Sequence, residues 1–547
     1  MFKLKILTFI IFASFSLNLI GQNELQQNYL TSYGQVWGFL KYFHPKPSEQ
    51  NWDNVLLDDY TEIIKCQTNE EFNILIDDLI AKCGDYNGAH RDIVDSLNFK
   101  QSYLWLEESL LTDKQKTYLI ELLNNKPNFK NKYISETPVG IPKFTNEEDY
   151  GVYNFEPSIQ FLSITRYWNI INYFCPNRDI IPKNWTQVYK VHVNDFIKAN
   201  SYEKYYFAIR KLTSEIRDGH GFVRAENNPM NSYKYAPFFC LYLSDGYYIN
   251  TVFQDSLHSI NLKRKDKIIS IDGIPIEEKI NQLGMILSTS NDYYLSNSTH
   301  YLRITDQDST TITISREGKL FTNTYAATDG KTMMARHKRS PSVEKKSPYS
   351  LLIDSLSGKQ YCYVNLGRLQ RKDINSKFKR ILSQTDNLII DVRNYPNWTL
   401  IKFSDLLIKD KGKFAKFKAM NFDYPGSYKW TQSQTIGNKK NGYNGNIYVL
   451  VDYNTMSQAE YTVMALQQHP NTVVIGGQTA GADGNICAIP LPFGIKSVYS
   501  GLGVFYPDGT PTQQIGIERD FEVVQESSYL DGKDLIFEKA IELIREK

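Results

Sequence analysis

The chain lacks the residue patterns that mark metal-binding proteins. Its 547 residues include six cysteines and eight histidines, and none of the cysteines forms a Cys-x-x-Cys pair. A structural zinc site needs closely spaced cysteine and histidine ligands, so the sequence predicts no metal site. The cysteines are scattered along the chain, and we expect mostly buried thiols, with at most a single disulfide among them.

A strong charge of either sign is also missing. The 62 Lys and Arg residues nearly balance the 60 Asp and Glu residues, and the formal net charge is +2. This balance argues against nucleic acid as the main partner. The hydrophobic fraction of 41% is sufficient for folded cores. At roughly 100–200 residues per domain, the length predicts about three or four domains.

Long apolar runs are absent except at the N-terminus. Lys3 and Lys5 precede the apolar run Ile6–Ile20, and Gly21 and polar residues follow it. The run is short for a membrane span, and its flanks are those of a secretory signal. We therefore expect residues 1–22 to be a signal peptide and the mature chain to be secreted or periplasmic, without an integral membrane segment. A buried first helix or a retained anchor is the alternative.

An internal repeat dominates the N-terminal part of the chain. Val36–Pro45 resembles Tyr167–Pro176, and an Asn-Trp pair follows each segment. Residues 71–81 and 202–216 then place apolar residues at three- and four-residue intervals, which is typical of helices. Two copies predict a duplicated helical region rather than a solenoid. We expect the aromatic residues of both copies to pack in a core, with the copies spanning 23–145 and 146–230.

Residues 231–330 have the pattern of a β domain. Tyr247–Val252 and Thr310–Ser315 alternate in polarity or carry β-branched residues. Between them, Ile260–Pro275 resembles the centre of a PDZ domain, where a Gly-Asp turn leads to a buried strand and an Asp-Gly hairpin. Lys265 replaces the glycine of that turn. The segment predicts a PDZ-like fold.

The last part of the chain, 331–547, alternates between strand and helix patterns. This alternation favours an α/β core with largely parallel strands. The predicted strands are 361–366, 388–392, 447–452 and 473–476, and the predicted helices are 371–384, 399–409 and 457–468.

One turn in this region carries candidate chemistry. Ser457-Gln458-Ala459-Glu460 opens a helix directly after a predicted buried strand. A helix start favours negative charge, and the free N–H of Gln458 can face a developing oxyanion, so Ser457 is a candidate nucleophile. The same four residues also form a Ser-x-x-Glu capping box, in which Ser457 and Glu460 only stabilise the helix start.

The surroundings of this turn resemble a known family. Ser457–Glu460 is similar to the Ser-Ala-x-Glu nucleophile turn of the tail-specific (carboxyl-terminal processing) and tricorn-like serine peptidases. Leu388–Asn397, Gly476–Gly481 and Gly516–Val523 are similar to three further motifs of that family, in the same order. The resemblance implies a multidomain α/β protein with a crotonase/ClpP-like peptidase core. It also implies a peptide or unfolded protein as substrate and no cofactor, and it specifies no oligomeric state.

The resemblance further implies which base would act with Ser457. In bacterial tail-specific enzymes a lysine after the serine is the base, but the matching position here holds Ala482, whose methyl group cannot accept a proton. The tricorn-like branch instead uses a histidine placed before the PDZ-like domain. His220, in Asp218-Gly219-His220, matches that position, and an imidazole with a pKa near 6.5 suits a base at neutral pH.

The remaining site residues follow from the same comparison. Where the tricorn-like pattern has a glutamate, this chain has Gln513, which can orient a base but cannot stabilise an imidazolium as a carboxylate does. Glu518 and Asp520 are alternatives that fit a structural strand better. The backbone N–H groups of Gln458 and Asn397 are the expected oxyanion donors. Trp398 replaces a family glycine and is expected to crowd the pocket.

Three interpretations therefore remain for function. One is an exported serine endopeptidase that forms an acyl-enzyme on Ser457 with His220 as its general base. The second is a non-catalytic protein that binds a ligand or peptide on the same fold, because the glycine pair and the glutamate of the family are both replaced. The third is an inactive scaffold that holds partners through its PDZ-like and duplicated helical domains.

Overall fold

In the computed structural model, the structure describes residues 24–89, 99–151, 155–253, 261–333, 347–437 and 442–547. The predicted signal peptide, residues 1–22, lies outside these ranges. Across the described ranges, no helix combines the length and apolar character needed to cross a bilayer.

The N-terminal part is helical, as its three- and four-residue apolar spacing predicts. Several of its helices begin at capping residues: the side chains of Asn51, Thr68, Asn184 and Ser201 each accept a hydrogen bond from a first-turn N–H group. The elements are α1 (24–43), α2 (Trp52–Lys65), α3 (Asn69–Ala81), α4 (Phe99–Tyr103), α5 (Trp105–Glu108), α6 (Asp113–Asn124), the strands β1 (Ile134–Glu136) and β2 (Pro142–Phe144), α7 (Pro157–Phe174), α8 (Trp185–Ile197) and α9 (Tyr202–Ser214).

Two reciprocal tryptophan pairs join helices in this region. The indole N–H of Trp37 donates to the carbonyl of Trp52 at 3.0 Å, and that of Trp52 donates to the carbonyl of Trp37 at 3.1 Å. Trp168 and Trp185 make the same two bonds, at 2.7 and 3.1 Å. A buried indole N–H needs a hydrogen-bond acceptor. In each pair the two indole N–H groups find one in the partner's carbonyl, and the same bonds hold two helices together. The aromatic residues of the repeat belong to the buried core, as expected.

The middle of the chain is an antiparallel β region with its own buried core. Asp272 and Gly273 both have positive φ, 52° and 77°, and form the two-residue hairpin that the sequence predicted. Its sheet has the order β11-β10-β7-β6-β5, with β8 paired to β7. The elements are β3 (Phe222–Ala225), β4 (Lys234–Tyr235), β5 (Phe238–Leu243), β6 (Gly246–Val252), β7 (Lys267–Ile271), β8 (Ile274–Pro275), α10 (Ile276–Gly284), α11 (Asp292–Ser296), β9 (Ile304–Thr305), β10 (Ser309–Arg316), β11 (Lys319–Ala326) and β12 (Thr328–Asp329).

The C-terminal part is a mixed α/β unit. Its main sheet has the order β13-β14-β15-β19-β20-β24, and every pair from β14 onward is parallel. Apolar side chains cover both faces of this sheet. The elements are β13 (Tyr349–Ile353), β14 (Gln360–Asn365), α12 (Ser376–Leu382), β15 (Asn387–Asp391), α13 (Leu400–Leu407), β16 (Gly412–Met420), β17 (Tyr428–Trp430), β18 (Gln434–Ile436), β19 (Asn446–Val451), α14 (Gln458–Leu466), β20 (Thr472–Gly476), β21 (Ile486–Leu491), β22 (Ile495–Ser500), β23 (Gly503–Phe505), β24 (Phe521–Glu522) and α15 (Leu535–Glu546).

The predicted α/β alternation is confirmed, with shorter helices than the pattern indicated. The helix expected over 371–384 begins only at Ser376, because the side chain of Asn375 accepts hydrogen bonds from the N–H groups of Lys377 and Phe378 and so caps the helix there. The six cysteines all lie in described ranges, where each is buried and none is in a disulfide.

One strand joins the helical region to the α/β unit. β3 pairs antiparallel with β22, and β22 pairs in turn with β21. Phe222 lies opposite Val498 and Val223 lies opposite Ser497. Continuing the same register toward the start of β3 brings His220 opposite Ser500.

Candidate active site

Ser457 occupies a strained turn between β19 and α14. Its backbone has φ 57° and ψ −123°, a conformation that costs energy for a residue with a side chain. An ordinary N-cap residue has an extended backbone instead. Strain of this kind persists where surrounding contacts enforce it, and it is characteristic of a serine exposed on a sharp strand-to-helix turn. The capping interpretation alone therefore does not account for the conformation of Ser457.

Glu460 is the residue that holds this turn. It is fully buried, and its carboxylate accepts hydrogen bonds from the N–H of Ser457 at 3.2 Å and from the hydroxyl of Thr479 at 2.6 Å. The N–H groups of Gly481 and Ala482 donate to it at 2.8 and 3.0 Å. Burial raises the pKa of Glu460 to about 7, while these four donors act in the opposite direction. Glu460 thus caps the helix start at Ser457 and also joins the Ser457 turn to the loop after β20.

His220 is buried in the turn between α9 and β3, with 9% of its surface exposed. Its Nδ1 lies 3.0 Å from the hydroxyl oxygen of Ser500. That contact follows from the strand register, because β22 ends at the residue opposite His220. Burial lowers the pKa of His220, and the neighbouring Asp218 carboxylate acts in the opposite direction.

Asp218 is the carboxylate that contacts both the His220 backbone and Ser500, and the sequence pattern indicated it only as part of the histidine turn. It is 4% exposed. Its carboxylate accepts hydrogen bonds from the Ser500 N–H at 2.5 Å, the Ser500 hydroxyl at 3.0 Å and the His220 N–H at 2.9 Å. The Asp-x-His spacing in a buried turn was the available signal, since a carboxylate two residues before a histidine can curl back onto that residue's N–H.

Gln513, the expected third partner, contacts the acid rather than the imidazole. Its Nε2 donates to Asp218 at 3.1 Å. Asp520, one of the alternatives, accepts a hydrogen bond from the N–H of Val474 at 2.7 Å and so supports the sheet. Glu518, the other alternative, is exposed. Among Asp218, Glu518 and Asp520, it is Asp218 that is hydrogen-bonded within the network around the imidazole.

The hydrogen bonds around Ser500 also determine the tautomer of His220. An ionised Asp218 can only accept, so the single hydroxyl proton of Ser500 is directed to it. The Ser500 oxygen then accepts from His220, which requires the proton of the neutral imidazole to be on Nδ1. Nε2 is left unprotonated, which is the form a general base needs.

The Ser457 and His220 turns meet at Ala482. The N–H of Ser457 donates to the carbonyl of Ala482 at 2.9 Å. A Cβ on Gly219 would lie 2.8 Å from the methyl carbon of Ala482, so the Gly219 backbone packs closely against that methyl group. Within the described ranges, no hydrogen bond joins Ser457 directly to His220. The residue that replaces the lysine of the bacterial enzymes is therefore the point of contact between the two turns.

The expected oxyanion donors lie on two separate segments. Gln458 is the first residue of α14 and follows Ser457 directly. The side chain of Asn397 donates to the carbonyls of Gly367 and Leu369 at 2.7 and 3.2 Å, which fixes the loop after β15. The positive φ of this loop, 51°, falls on Trp398 rather than on Asn397. The Trp398 side chain is 76% exposed in this conformation and is not packed into the protein interior.

The described ranges contain no group of three or more His, Cys, Asp or Glu side chains arranged to hold a metal ion.

Comparison with known proteins identifies the region around Ser457. Residues 360–523 match the model of peptidase family S41, and this match runs from β14 to just beyond β24. A search of curated proteins returned no match.

The solved structures of CPAF have a similar fold. Mature CPAF is 13% identical with a TM-score of 0.53, and the alignment covers 71% of this chain and 98% of that chain. CPAF complexed with lactacystin gives 13% identity, a TM-score of 0.51 and coverage of 71% and 97%. The photosystem II D1 C-terminal processing protease is 14% identical with a TM-score of 0.38 and coverage of 68% and 94%.

Proposed function

We propose that this chain, whose residues 360–523 match the model of peptidase family S41, is a serine-type peptidase in which Ser457 is the nucleophile and His220 the general base. The observation that carries the proposal is the buried arrangement of His220, Ser500 and Asp218 beside the strained Ser457 turn. A network that leaves Nε2 of a histidine unprotonated next to a strained serine suits acyl transfer.

In this proposal an extended peptide adds beside the segment Asn394–Asn397, and its binding brings Ser457 and His220 into hydrogen-bond contact. Catalytic hydrogen bonds are often long in ligand-free enzymes and shorten in the complex. Nε2 of His220 then takes the hydroxyl proton as the Ser457 oxygen attacks the carbonyl carbon. The N–H groups of Gln458 and Asn397 stabilise the resulting oxyanion.

The remaining steps return every group to its starting state. The imidazolium of His220 gives its proton to the leaving amine nitrogen as the peptide C–N bond breaks, and this leaves an acyl ester on Ser457. A water molecule attacks that ester while His220 takes a proton from the water. The acyl–oxygen bond breaks, the proton returns to Ser457, and a peptide with a new carboxyl terminus leaves.

Asp218 takes the role of the missing family glutamate in this proposal. The imidazolium formed in each half of the reaction needs a nearby negative charge, which the neutral Gln513 cannot supply. The charge of Asp218 reaches Nδ1 through the Ser500 hydroxyl, over two hydrogen bonds of 3.0 Å each. Asp218 is thus a positioning residue that acts through Ser500.

The finer organisation of the chain is also part of the proposal. We assign residues 1–22 to a signal peptide, 23–145 and 146–230 to two copies of a duplicated helical unit, 231–330 to a PDZ-like domain and 331–547 to the peptidase core. The matching tryptophan pairs support the duplication, and the Asp272-Gly273 hairpin supports the PDZ-like assignment. A peptide or unfolded protein outside the cytoplasm is the proposed substrate.

A serine-directed fluorophosphonate probe tests the assignment of Ser457. The probe is expected to label Ser457 in the full-length protein, and Ser457→Ala is expected to abolish labelling. Peptide hydrolysis should fall by about 10⁶-fold in the same variant. Ser383→Ala, which changes an exposed serine at the end of α12, is the matched control and should label and cleave normally.

The base is tested separately with His220→Gln. This variant should lose labelling and hydrolysis while its thermal unfolding stays cooperative. A protein that folds but is never labelled at Ser457 would exclude the peptidase mechanism and favour a non-catalytic binding protein on the same fold.

A further inference from the structure

A polar cavity lies beside the His220 turn. It has a volume of about 550 Å³ and is enclosed by α9, the segment 286–301 and the loop around Asn228. Neutral groups that can donate hydrogen bonds line much of it, including Asn231, Ser288 and Thr289. Neither Asp nor Glu is among the residues that line this cavity.

Arg210 supplies the charge of this cavity. Its side chain lines the cavity although the residue is only 8% exposed. The guanidinium lies 5.8 Å from each of the rings of Tyr206 and Tyr301, and its Nε donates to the carbonyl of Ile286 at 3.1 Å. His300 also lines the cavity, but burial and the nearby Arg303 lower its pKa, so that it is neutral at pH 7.

The positive charge of Arg210 has no carboxylate partner in the part of the chain that the structure describes. Its hydrogen bonds go to the Ile286 carbonyl and the Met230 sulfur, neither of which carries a negative charge. A buried charge without an opposite charge nearby lowers the stability of the folded protein, and an anionic ligand that pairs with it would be bound favourably. A guanidinium offers a planar fork of donors whose best partner is a carboxylate or another oxyanion.

The cavity shares its wall with the proposed active site. Gly219 lines the cavity and touches Ala482, whose carbonyl accepts the hydrogen bond from Ser457. Tyr294 also lines the cavity, and its hydroxyl lies 3.7 Å from the sulfur of Met456, the residue before Ser457. The cavity and the Ser457 turn are therefore adjacent.

We propose that this cavity binds a carboxylate of the peptide substrate through Arg210. The proposal rests on the peptidase function for the identity of the ligand, but not for the binding itself. The carboxylate has two possible sources, the free C-terminus of the peptide or an acidic side chain a few residues from the bond that is cleaved. Both present the same group to Arg210.

Peptide binding to the inactive Ser457→Ala protein tests this proposal by fluorescence anisotropy. One set uses a peptide without acidic residues, with either a free or an amidated C-terminus. A second set uses the amidated peptide with Glu or Gln placed at successive positions. The form that carries the correct carboxylate should bind about 10- to 100-fold more tightly than its neutral counterpart, as expected for a charge-assisted hydrogen-bonded pair.

The same measurement on Ser457→Ala/Arg210→Met should abolish the preference for that carboxylate. Ser457→Ala/Lys211→Met removes a positive charge from the adjacent, 48% exposed lysine and should keep the preference. If neither carboxylate improves binding to the Ser457→Ala protein, or if the preference survives Arg210→Met, the proposal is wrong. The comparison of peptides on the Ser457→Ala protein needs no Arg210 variant. It therefore tests whether a carboxylate is bound even if Arg210→Met fails to fold.

Failure of the peptidase function would give a different result. In that case Ser457 would not label and no peptide would be cleaved, yet the Arg210-dependent preference for a carboxylate would remain in the binding measurement. A peptidase that cleaves acidic and neutral, free and amidated peptides equally well would instead leave the function standing and overturn the Arg210 proposal.

Discussion

At the scale of the residue, the proposed mechanism takes the negative charge near the base from a different position in the chain. The related pattern places a glutamate where this chain has Gln513, and the acid here is Asp218, close to His220 in sequence. Because the Gln513 amide lies 3.1 Å from that carboxylate, the two positions face the same space. We therefore expect that a carboxylate at either position could supply the charge.

This exchange can be tested by moving the charge back. Asp218→Asn should lower kcat/KM by about 10²- to 10⁴-fold, because the imidazolium loses its counter-charge. The double variant Asp218→Asn/Gln513→Glu should recover part of that loss. The measurements are steady-state peptide hydrolysis and thermal unfolding of both variants. If the double variant is as stable as the single one but no more active, the charge of Asp218 has no part in catalysis.

The pH dependence follows from the burial of His220. The base must be neutral, and burial lowers its pKa below the usual 6.5. We therefore expect kcat/KM to stay high as the pH falls to 6.5 and to decline only at lower pH. Because the Asp218 charge opposes this lowering, Asp218→Asn should move the acidic limb to still lower pH. A pH–rate profile of both proteins measures the shift, and a limb that moves upward would contradict the assigned role of Asp218.

How far the sequence could predict the site depends on the residue. Ser457 was identifiable because its motif and its place after a buried strand agree. Asp218 was not, because the network that makes it important forms with Ser500, which lies in a distant strand of the chain. The conformation of Ser457 was also beyond prediction, since the Ser-x-x-Glu pattern suits an ordinary cap equally well.

At the scale of the element, the pairing of β3 with β22 sets the position of His220, the proposed base. A short strand of four residues carries His220 from the helical region to the edge of the peptidase unit. Local periodicity could predict the strands of the core sheet, because each is a buried run. It could not predict that β3 joins β22, because strand partners far apart in sequence leave no local pattern.

A proline in this strand tests its role. Val223→Pro removes a backbone donor and disfavours pairing at the middle of β3, so we expect lower kcat and weaker fluorophosphonate labelling of Ser457. Val223→Thr keeps the β-branched shape and should retain most activity. Both variants should unfold in a cooperative transition. Full labelling of a folded Val223→Pro protein would show that His220 does not depend on this strand.

At the scale of the whole molecule, the order of the regions follows the sequence well. The helical, β and α/β parts were each predictable from their own periodicity, and the structure has them in that order. The cavity that contains Arg210 was not predictable, because three segments from two of these parts enclose it. A cavity lined by several segments depends on how those segments pack together, which cannot be predicted from any one of them.

The proposal of export makes a prediction about the chain that begins at Met1. Expressed with its natural N-terminus in a secreting host, the protein should be recovered outside the cytoplasm and should begin close to Asn23, since a cleaved signal ends after a small residue or shortly beyond it. N-terminal mass spectrometry of the purified protein measures this. Recovery of a cytoplasmic chain that still begins at Met1 would contradict export.

The six unpaired cysteines have a practical consequence. Burial raises the pKa of Cys83, Cys175, Cys240, Cys362 and Cys487 to about 12 in each case, and it also raises that of Cys66. The reactive thiolate is thus almost absent at neutral pH, and an alkylating reagent can reach a thiol only when the surrounding structure opens. The helical, β and α/β parts each contain at least one such cysteine. The rate of alkylation at each cysteine would therefore measure how often the structure around it opens.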